Sequence, residues 1–379
     1  MPLRVGLSLH GALLSEAGAR FASQLGVRDV VVHLTDYTRN GDGRAYFAGE
    51  VGPINGECID APLWSYDYMA GIVAMLARHG IGVAAMENIS PNFWSDILLD
   101  GPRKHEQMAA MKTLVRNAGR AGIPVIGYNF SLAGVWGWRR RPAARGGAIT
   151  AVFSAGEIDA GSPIPDGMVG NMRYRQEVAG AAPQTVDEPT LWARLEWFLK
   201  ELVPVAEEAG VRLAAHPDDP PVERLRGTAR LVNSHAKYDR LLAIAPSRAN
   251  TLEYCVGSLA EMREGDIYET TRRFARAGSI AYVHFRNVRG KVPNYVETFV
   301  DDGDVDMAEI VRILHEEGFD GVLVPDHVPD LDCAAPWHAG HAYTVGYMKA
   351  LVAHAGTLSA GRAVRSGASR DAAIPAMAR

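Results

Sequence analysis

Two histidines, a cysteine and an aspartate stand out because each closes a short apolar run: His216, Cys255, His284 and Asp326. Imidazole, thiolate and carboxylate are side chains that ligate first-row metal ions. If the runs are neighbouring strands, their ends can be aimed at one point and the side chains then form a cation site. Ligand type alone admits zinc, iron or manganese, because a thiolate is soft while the other donors are less selective. Polar groups close other runs too: Glu87-Asn88, Tyr128-Asn129 and, beyond the histidines and the aspartate, Asp218-Asp219, Arg286-Asn287 and His327.

Such a site requires the runs to be strands of one sheet. Short apolar or β-branched runs recur at 3–9, 29–34, 82–87, 124–128, 212–216, 251–255, 280–285 and 321–326. Eight is the number that closes a parallel barrel. Gly26, Gly80, Gly122, Gly210, Gly278 and Gly318 each lie two or three residues upstream of a run, where a helix should end and the next strand begin. Segments 66–78, 105–121, 191–209, 267–277 and 307–317 place apolar residues near i, i+3, i+4 and i+7, which predicts helices. Strand alternating with helix predicts a single (β/α)8 TIM barrel over residues 1–356, with a doubly wound open sheet as the structural alternative. Leu7-Ser8-Leu9-His10-Gly11 lacks the G-x-G-x-x-G spacing, which weighs against a dinucleotide-binding sheet.

Two connections, 35–63 and 129–188, are too long for turns and would emerge on the catalytic face of a barrel. The second carries Trp136, Trp138 and Arg139-Arg140-Arg141. It reads either as a lid presenting aromatic and cationic groups to an anionic substrate, or as a disordered or oligomer-contacting insertion. Residues 357–379, rich in Ala, Ser, Gly and Arg, read as a loose tail.

The chain has 379 residues, 47% of them apolar, and a formal net charge of −5. It lacks the basic surplus that nucleic-acid binding requires. No stretch approaches the roughly 18 apolar residues of a membrane span, and the first residues have no signal-peptide pattern, so the expectation is a soluble cytoplasmic protein. The odd set of Cys58, Cys255 and Cys333 gives no disulfide framework and fits a reducing compartment. Asp302, Asp304 and Asp306 lack the spacing of a calcium loop and read as a loop and N-cap before a helix. Self-association into a homo-oligomer is left open.

The motifs as a set resemble the mannonate dehydratase family of xylose-isomerase-like barrels. The matching stretches are His216-Pro217-Asp218-Asp219-Pro220-Pro221, Cys255-Val256-Gly257-Ser258, Val283-His284-Phe285-Arg286-Asn287-Val288, Glu297-Thr298, Asp302-Gly303-Asp304-Val305-Asp306-Met307 and Pro325-Asp326-His327. They span about the C-terminal half; the N-terminal half matches mainly at Glu87 and Tyr128-Asn129-Phe130. The resemblance implies that His216, Cys255, His284 and Asp326 hold Mn(II) or Fe(II), and that D-mannonate, a small sugar acid, loses water to give 2-keto-3-deoxy-D-gluconate. An isomerase or epimerase on the same barrel is the alternative.

Dehydration needs one group to take the C2 proton and another to protonate the departing C3 hydroxyl. His327 and a following tyrosine, Tyr343, are the expected pair, with His341 and Tyr347 as competitors. Arg286, Asn287, Asn129 and Glu87 are the expected substrate-binding residues, the first two for the carboxylate and hydroxyls. The other role for Arg286 and Asn287 is tying their loop to its neighbours. Asp218 and Asp219 read either as partners orienting His216 or as an ordinary turn.

Overall fold

The glycine-punctuated alternation folds as a closed parallel barrel in a computed structural model, which describes residues 3–33, 65–89, 91–169, 172–173, 178, 180–182 and 184–368. Its strands are β1 (Arg4–His10), β2 (Asp29–His33), β3 (Gly82–Glu87), β4 (Val125–Tyr128), β5 (Arg212–Ala215), β6 (Asn250–Cys255), β7 (Ile280–His284) and β8 (Val322–Val324). Each pairs in parallel with its neighbours in sequence, and β1 closes onto β8. The open-sheet alternative is thereby excluded. The connection 35–63, with Cys58, lies outside the described residues.

Local chemistry explains the boundaries. Gly26, Gly80, Gly122, Gly210, Gly278 and Gly318 have φ between 66° and 81°, the left-handed region that ends a helix at little cost only for glycine. Side chains of Ser65, Asp187, Asp266 and Asp306 accept backbone N–H groups at the helix starts that follow them. Asp306 is therefore the cap that the sequence suggests. The apolar face of each helix packs on the barrel's outside, while Val31, Ala85, Val125, Ala214, Tyr282 and Val324 belong to a separate cluster contributed by six different strands. Small residues dominate it because the space inside an eight-stranded barrel is narrow.

The described part of the 129–188 connection carries regular structure of its own. Arg139–Pro142 and Ile149–Ser154 form an antiparallel pair, and a hairpin of Asn287–Lys291 and Asn294–Thr298 adds to it as a four-stranded sheet. Its arginines meet protein carboxylates: Arg140 bonds Asp330 at 2.6 Å, and Arg139 and Arg141 pair with Glu157. At the other end of the chain, the last helix runs Pro336–Ala368, past residue 357 where a loose tail is expected from composition. Continuity with the packed part of that helix, through Val345 and Met348, carries the backbone further than its own composition suggests.

Asp218 follows the second of its two readings. Its carboxylate accepts from the backbone N–H of Leu231 and Val232 at 2.6 and 2.9 Å and pairs with Arg230 at 3.0 Å, so it folds its own loop rather than orienting His216. Arg230, fully buried, then donates to Ser131 Oγ and the Gly134 carbonyl, pinning the start of the long insertion. Removing one member of a buried ion pair leaves the other uncompensated. Asp218→Ala is expected to destabilise the chain by about 3–5 kcal/mol, measured as a lowered denaturant midpoint.

Candidate active site

The barrel order places β5, β6, β7 and β8 side by side, so residues at their carboxyl ends converge. His216 follows β5, Cys255 ends β6, His284 ends β7 and Asp326 follows β8. Cys255 and His284 are direct register partners. One donor atom from each of His216, Cys255 and His284 lies within 4.8 Å of the others. Asp326 completes the group, its carboxylate 3.7 Å from His284 Nδ1 and 3.9 Å from Cys255 Sγ.

Neighbouring groups decide which atom of each ring faces inward. His216 Nδ1 lies 2.6 Å from the Pro217 carbonyl, an acceptor only, which places a proton on Nδ1 and leaves the Nε2 lone pair. His284 Nε2 lies 3.1 Å from Glu87 Oε2 and 3.3 Å from Glu253 Oε1. Its Nδ1 is buried without a hydrogen-bond partner among the described residues. An orphaned imidazole nitrogen beside a thiol and a carboxylate is what a metal ligand looks like before the ion arrives.

The electrostatics agree. Burial alone would raise the pKa of Cys255, but Arg286 and the imidazoles of His216 and His284 bring it well below the ordinary thiol value. Hydrogen bonds from the Ser258 backbone at 3.4 Å and its hydroxyl at 3.1 Å add to this. Burial would likewise lower His216, yet Glu253 and Cys255 push it up to about 9. The imidazoles attract protons because the cluster is short of positive charge. A thiolate, a carboxylate and two neutral imidazoles sum to −2, which a divalent cation neutralises.

Beneath His284 lies a second layer. Glu87 accepts from Tyr282 and Asn88, each at 3.1 Å, besides His284. Its charge is favoured: burial raises its pKa, but His33 and His284 outweigh it. Glu253 goes the other way, raised by burial and by the charge on Glu87. Glu87, an expected substrate-binding residue, reaches from β3 across the barrel to His284 on β7. Asn129 is half-buried just past β4.

Arg286 and Asn287 had two readings, substrate binding and tying their loop to its neighbours. The Arg286 guanidinium is fully buried, bonded to Asp219 at 2.6 Å, Glu261 at 2.7 Å and Glu297 at 2.8 Å, with its Nε 3.0 Å from Asp326. With carboxylates on every side it has no edge to offer a substrate carboxylate. Asn287 donates to the carbonyls of Val300 and Val305 and fastens the accessory hairpin. The role of tying the loop to its neighbours is the one the structure shows for both.

His327 stands where the sequence places it. Its Nδ1 lies 2.9 Å from Glu297 Oε1, its Nε2 3.4 Å from Asp326 Oδ1, and the edge of Trp138 packs on its ring with centroids 4.8 Å apart. Tyr343 does not join it. That side chain is 41% exposed, with its hydroxyl 3.4 Å from Arg145 and its ring against Phe299. His341, two residues earlier, is buried instead; its ring stacks on Trp337 at 4.1 Å and its Nδ1 is 2.8 Å from the Trp337 carbonyl. Trp337 in turn packs against His10 at the end of β1, and His10 against its register partner His33.

The D-mannonate dehydratase (UxuA) family model matches residues 48–360. Mannonate dehydratase of Streptococcus pneumoniae (strain 70585) is 31% identical over 276 residues, 70% of this chain and 74% of that protein. The Shouchella clausii (strain KSM-K16) enzyme is 30% identical over 284 residues, 70% of this chain and 77% of its own. Among solved structures, mannonate dehydratase from Streptococcus suis serotype 2 superimposes with a TM-score of 0.70 at 24% identity, covering 93% of this chain and 94% of that one. An L-ribulose 3-epimerase gives 0.54 at 14% identity over 99% of this chain and all of its own, a likeness of fold alone. Since the family match takes in every one of the converging strand-end residues from β5 to β8, this chain belongs to the D-mannonate dehydratase family of hydro-lyases.

Proposed function

We propose that the chain converts D-mannonate to 2-keto-3-deoxy-D-gluconate, with Mn(II) or Fe(II) held by His216, Cys255, His284 and Asp326. The observation that carries this reading is the convergence of those donors with His327 beside them, Nε2 turned toward Asp326 and Nδ1 held by Glu297. When bound, the cation supplies positive charge that stabilises the negative charge developing on the substrate carboxylate as the C2 proton leaves.

The chain's own residues manage the protons. Glu297 stabilises a protonated His327 ring, so His327 is suited to deliver a proton to the departing C3 hydroxyl, which leaves as water. His341, a competitor of Tyr343 for the second place in the pair, is the member that accepts the C2 proton. Burial holds its pKa down to about 4, against a smaller opposing effect of the Trp337 carbonyl, so the ring is neutral at neutral pH. Nδ1 faces that carbonyl, leaving Nε2 with the lone pair. Trp337 joins this ring to His10 at the carboxyl end of β1, the same end of the barrel as the strand-end cluster. Loss of the C2 proton and the C3 hydroxyl leaves an enol that becomes the 2-keto acid.

Incubated with Mn(II) and a panel of aldonic acids, the protein is expected to form a 2-keto-3-deoxy acid from D-mannonate; a product of unchanged formula would replace this reading with the isomerase one. Chelation should abolish turnover, and Cys255→Ala should lose bound metal on dialysis. His327→Gln and His341→Gln are each expected to lower kcat by about 10²–10⁴-fold, while Tyr343→Phe stays within about twofold, as for an exposed side chain away from the reacting atoms. Equal losses in Tyr343→Phe and His341→Gln would overturn the assignment of His341.

A further inference from the structure

Arg286 sits where two functions of the mouth meet. It follows β7 by two residues, and its guanidinium is flanked by Asp219, Glu261, Glu297 and Asp326. Two of its neighbours are cation ligands: Nε is 3.0 Å from Asp326 Oδ2, and one terminal nitrogen is 3.5 Å from Cys255 Sγ. A third neighbour leads to the proton-transfer group. The other terminal nitrogen donates to Glu297 Oε1 at 2.8 Å, and that same oxygen lies 2.9 Å from His327 Nδ1. The short helix Val256–Ala260 is shaped around this ion, since a Cβ on Gly257 would lie 2.7 Å from Arg286 Nε and 2.8 Å from its Cζ. Ser258, from the same turn, bonds the guanidinium at 3.0 Å and the Cys255 thiol at 3.1 Å.

We propose that Arg286 is a positioning residue that couples the cation site to His327: one planar fork fixes Cys255 and Asp326 directly and His327 through Glu297. The inference rests on reading the strand-end cluster as a cation site. Only a guanidinium meets the geometry, because its donors diverge in one plane toward several acceptors. An ammonium of the same charge concentrates its donors on one nitrogen and leaves some of the buried carboxylates unmatched. The ligands are therefore held in place by protein bonds before any ion binds, and a disturbance of the guanidinium reaches the ligands and His327 together.

The test uses the full chain stripped with a chelator and titrated with Co(II) alone, followed by the thiolate-to-cobalt absorption, beside steady-state kinetics with Mn(II). Arg286→Lys keeps the charge and removes the fork; Gly257→Ala keeps every charge and displaces the fork, and it decides if the first variant does not fold. With unfolding midpoints near wild type, each is expected to weaken Co(II) binding by about 10–100-fold and to lower kcat with KM changed less than about threefold. Wild-type cobalt affinity together with wild-type kcat in a folded variant overturns the proposal. So does a loss confined to KM, which would return Arg286 to the substrate. Cobalt binding needs no turnover, so a wild-type protein that forms the cobalt–thiolate band and fails to dehydrate mannonate sinks the proposed function and leaves this inference standing.

Discussion

The structure depends on one constraint: anionic groups buried in a barrel mouth must meet enough positive charge. Asp219, Glu261 and Glu297 are each almost wholly buried, and Asp326 and Cys255 lie against the same guanidinium that they meet, that of Arg286. Unpaired, such charges would take up protons or refuse burial. Arg286 supplies the permanent part of the compensation and the imidazoles the adjustable part. Glu261, whose pKa is raised by burial despite Arg286, is the member that gives way by neutralising. What remains uncompensated is concentrated on the side facing His216 and His284, which is where a cation is wanted.

The accessory sheet makes sense in this light. Its hairpin brings Glu297 and Tyr295 down onto Arg286 and Asp219, and its insertion strands bring Trp138 onto His327. Trp138 Nε1 donates to the Tyr295 hydroxyl at 2.8 Å, and that hydroxyl donates to Asp219 at 2.7 Å. A continuous bonded path thus runs from the insertion to the guanidinium. Low dielectric strengthens every bond in it and makes any missing partner expensive. The long connection is thereby bonded into the charged cluster.

Much of this was legible in the sequence, and the rest was hidden for definable reasons. Strand and helix periods with the six glycines located the barrel, because both signals are local. The convergence of His216, Cys255, His284 and Asp326 was legible since strand ends in a barrel point toward one mouth. Long side chains break that rule: Arg286 and Asn287 also follow a strand end, yet they turn back into the loop, and the carboxylates that hold Arg286 come from positions 219, 261 and 297, far apart in sequence. Helix geometry separates Tyr343 from its competitor His341. Positions 341 and 343 lie about 200° apart around a helix, so a shift of two residues exchanges the buried face for the exposed one.

Glu253 could have been found and was not. It stands two residues before Cys255 on β6, so strand alternation puts both side chains on the inner face, one layer apart. Tyr282 holds the same relation to His284 on β7. The barrel is therefore polar in two levels: His216, Cys255, His284 and Asp326 at the rim, and Glu253, Tyr282 and Glu87 beneath them. Gly127 on β4 makes the lower level possible, because a Cβ there would collide with the Tyr282 hydroxyl and the Glu253 carboxylate. His284 belongs to both levels, with Nε2 toward Glu87 and Nδ1 toward Asp326. A hydrogen-bonded carboxylate below an imidazole increases the donor strength of the opposite nitrogen, so the buried layer, though it touches no cation itself, sets how tightly the rim can hold one.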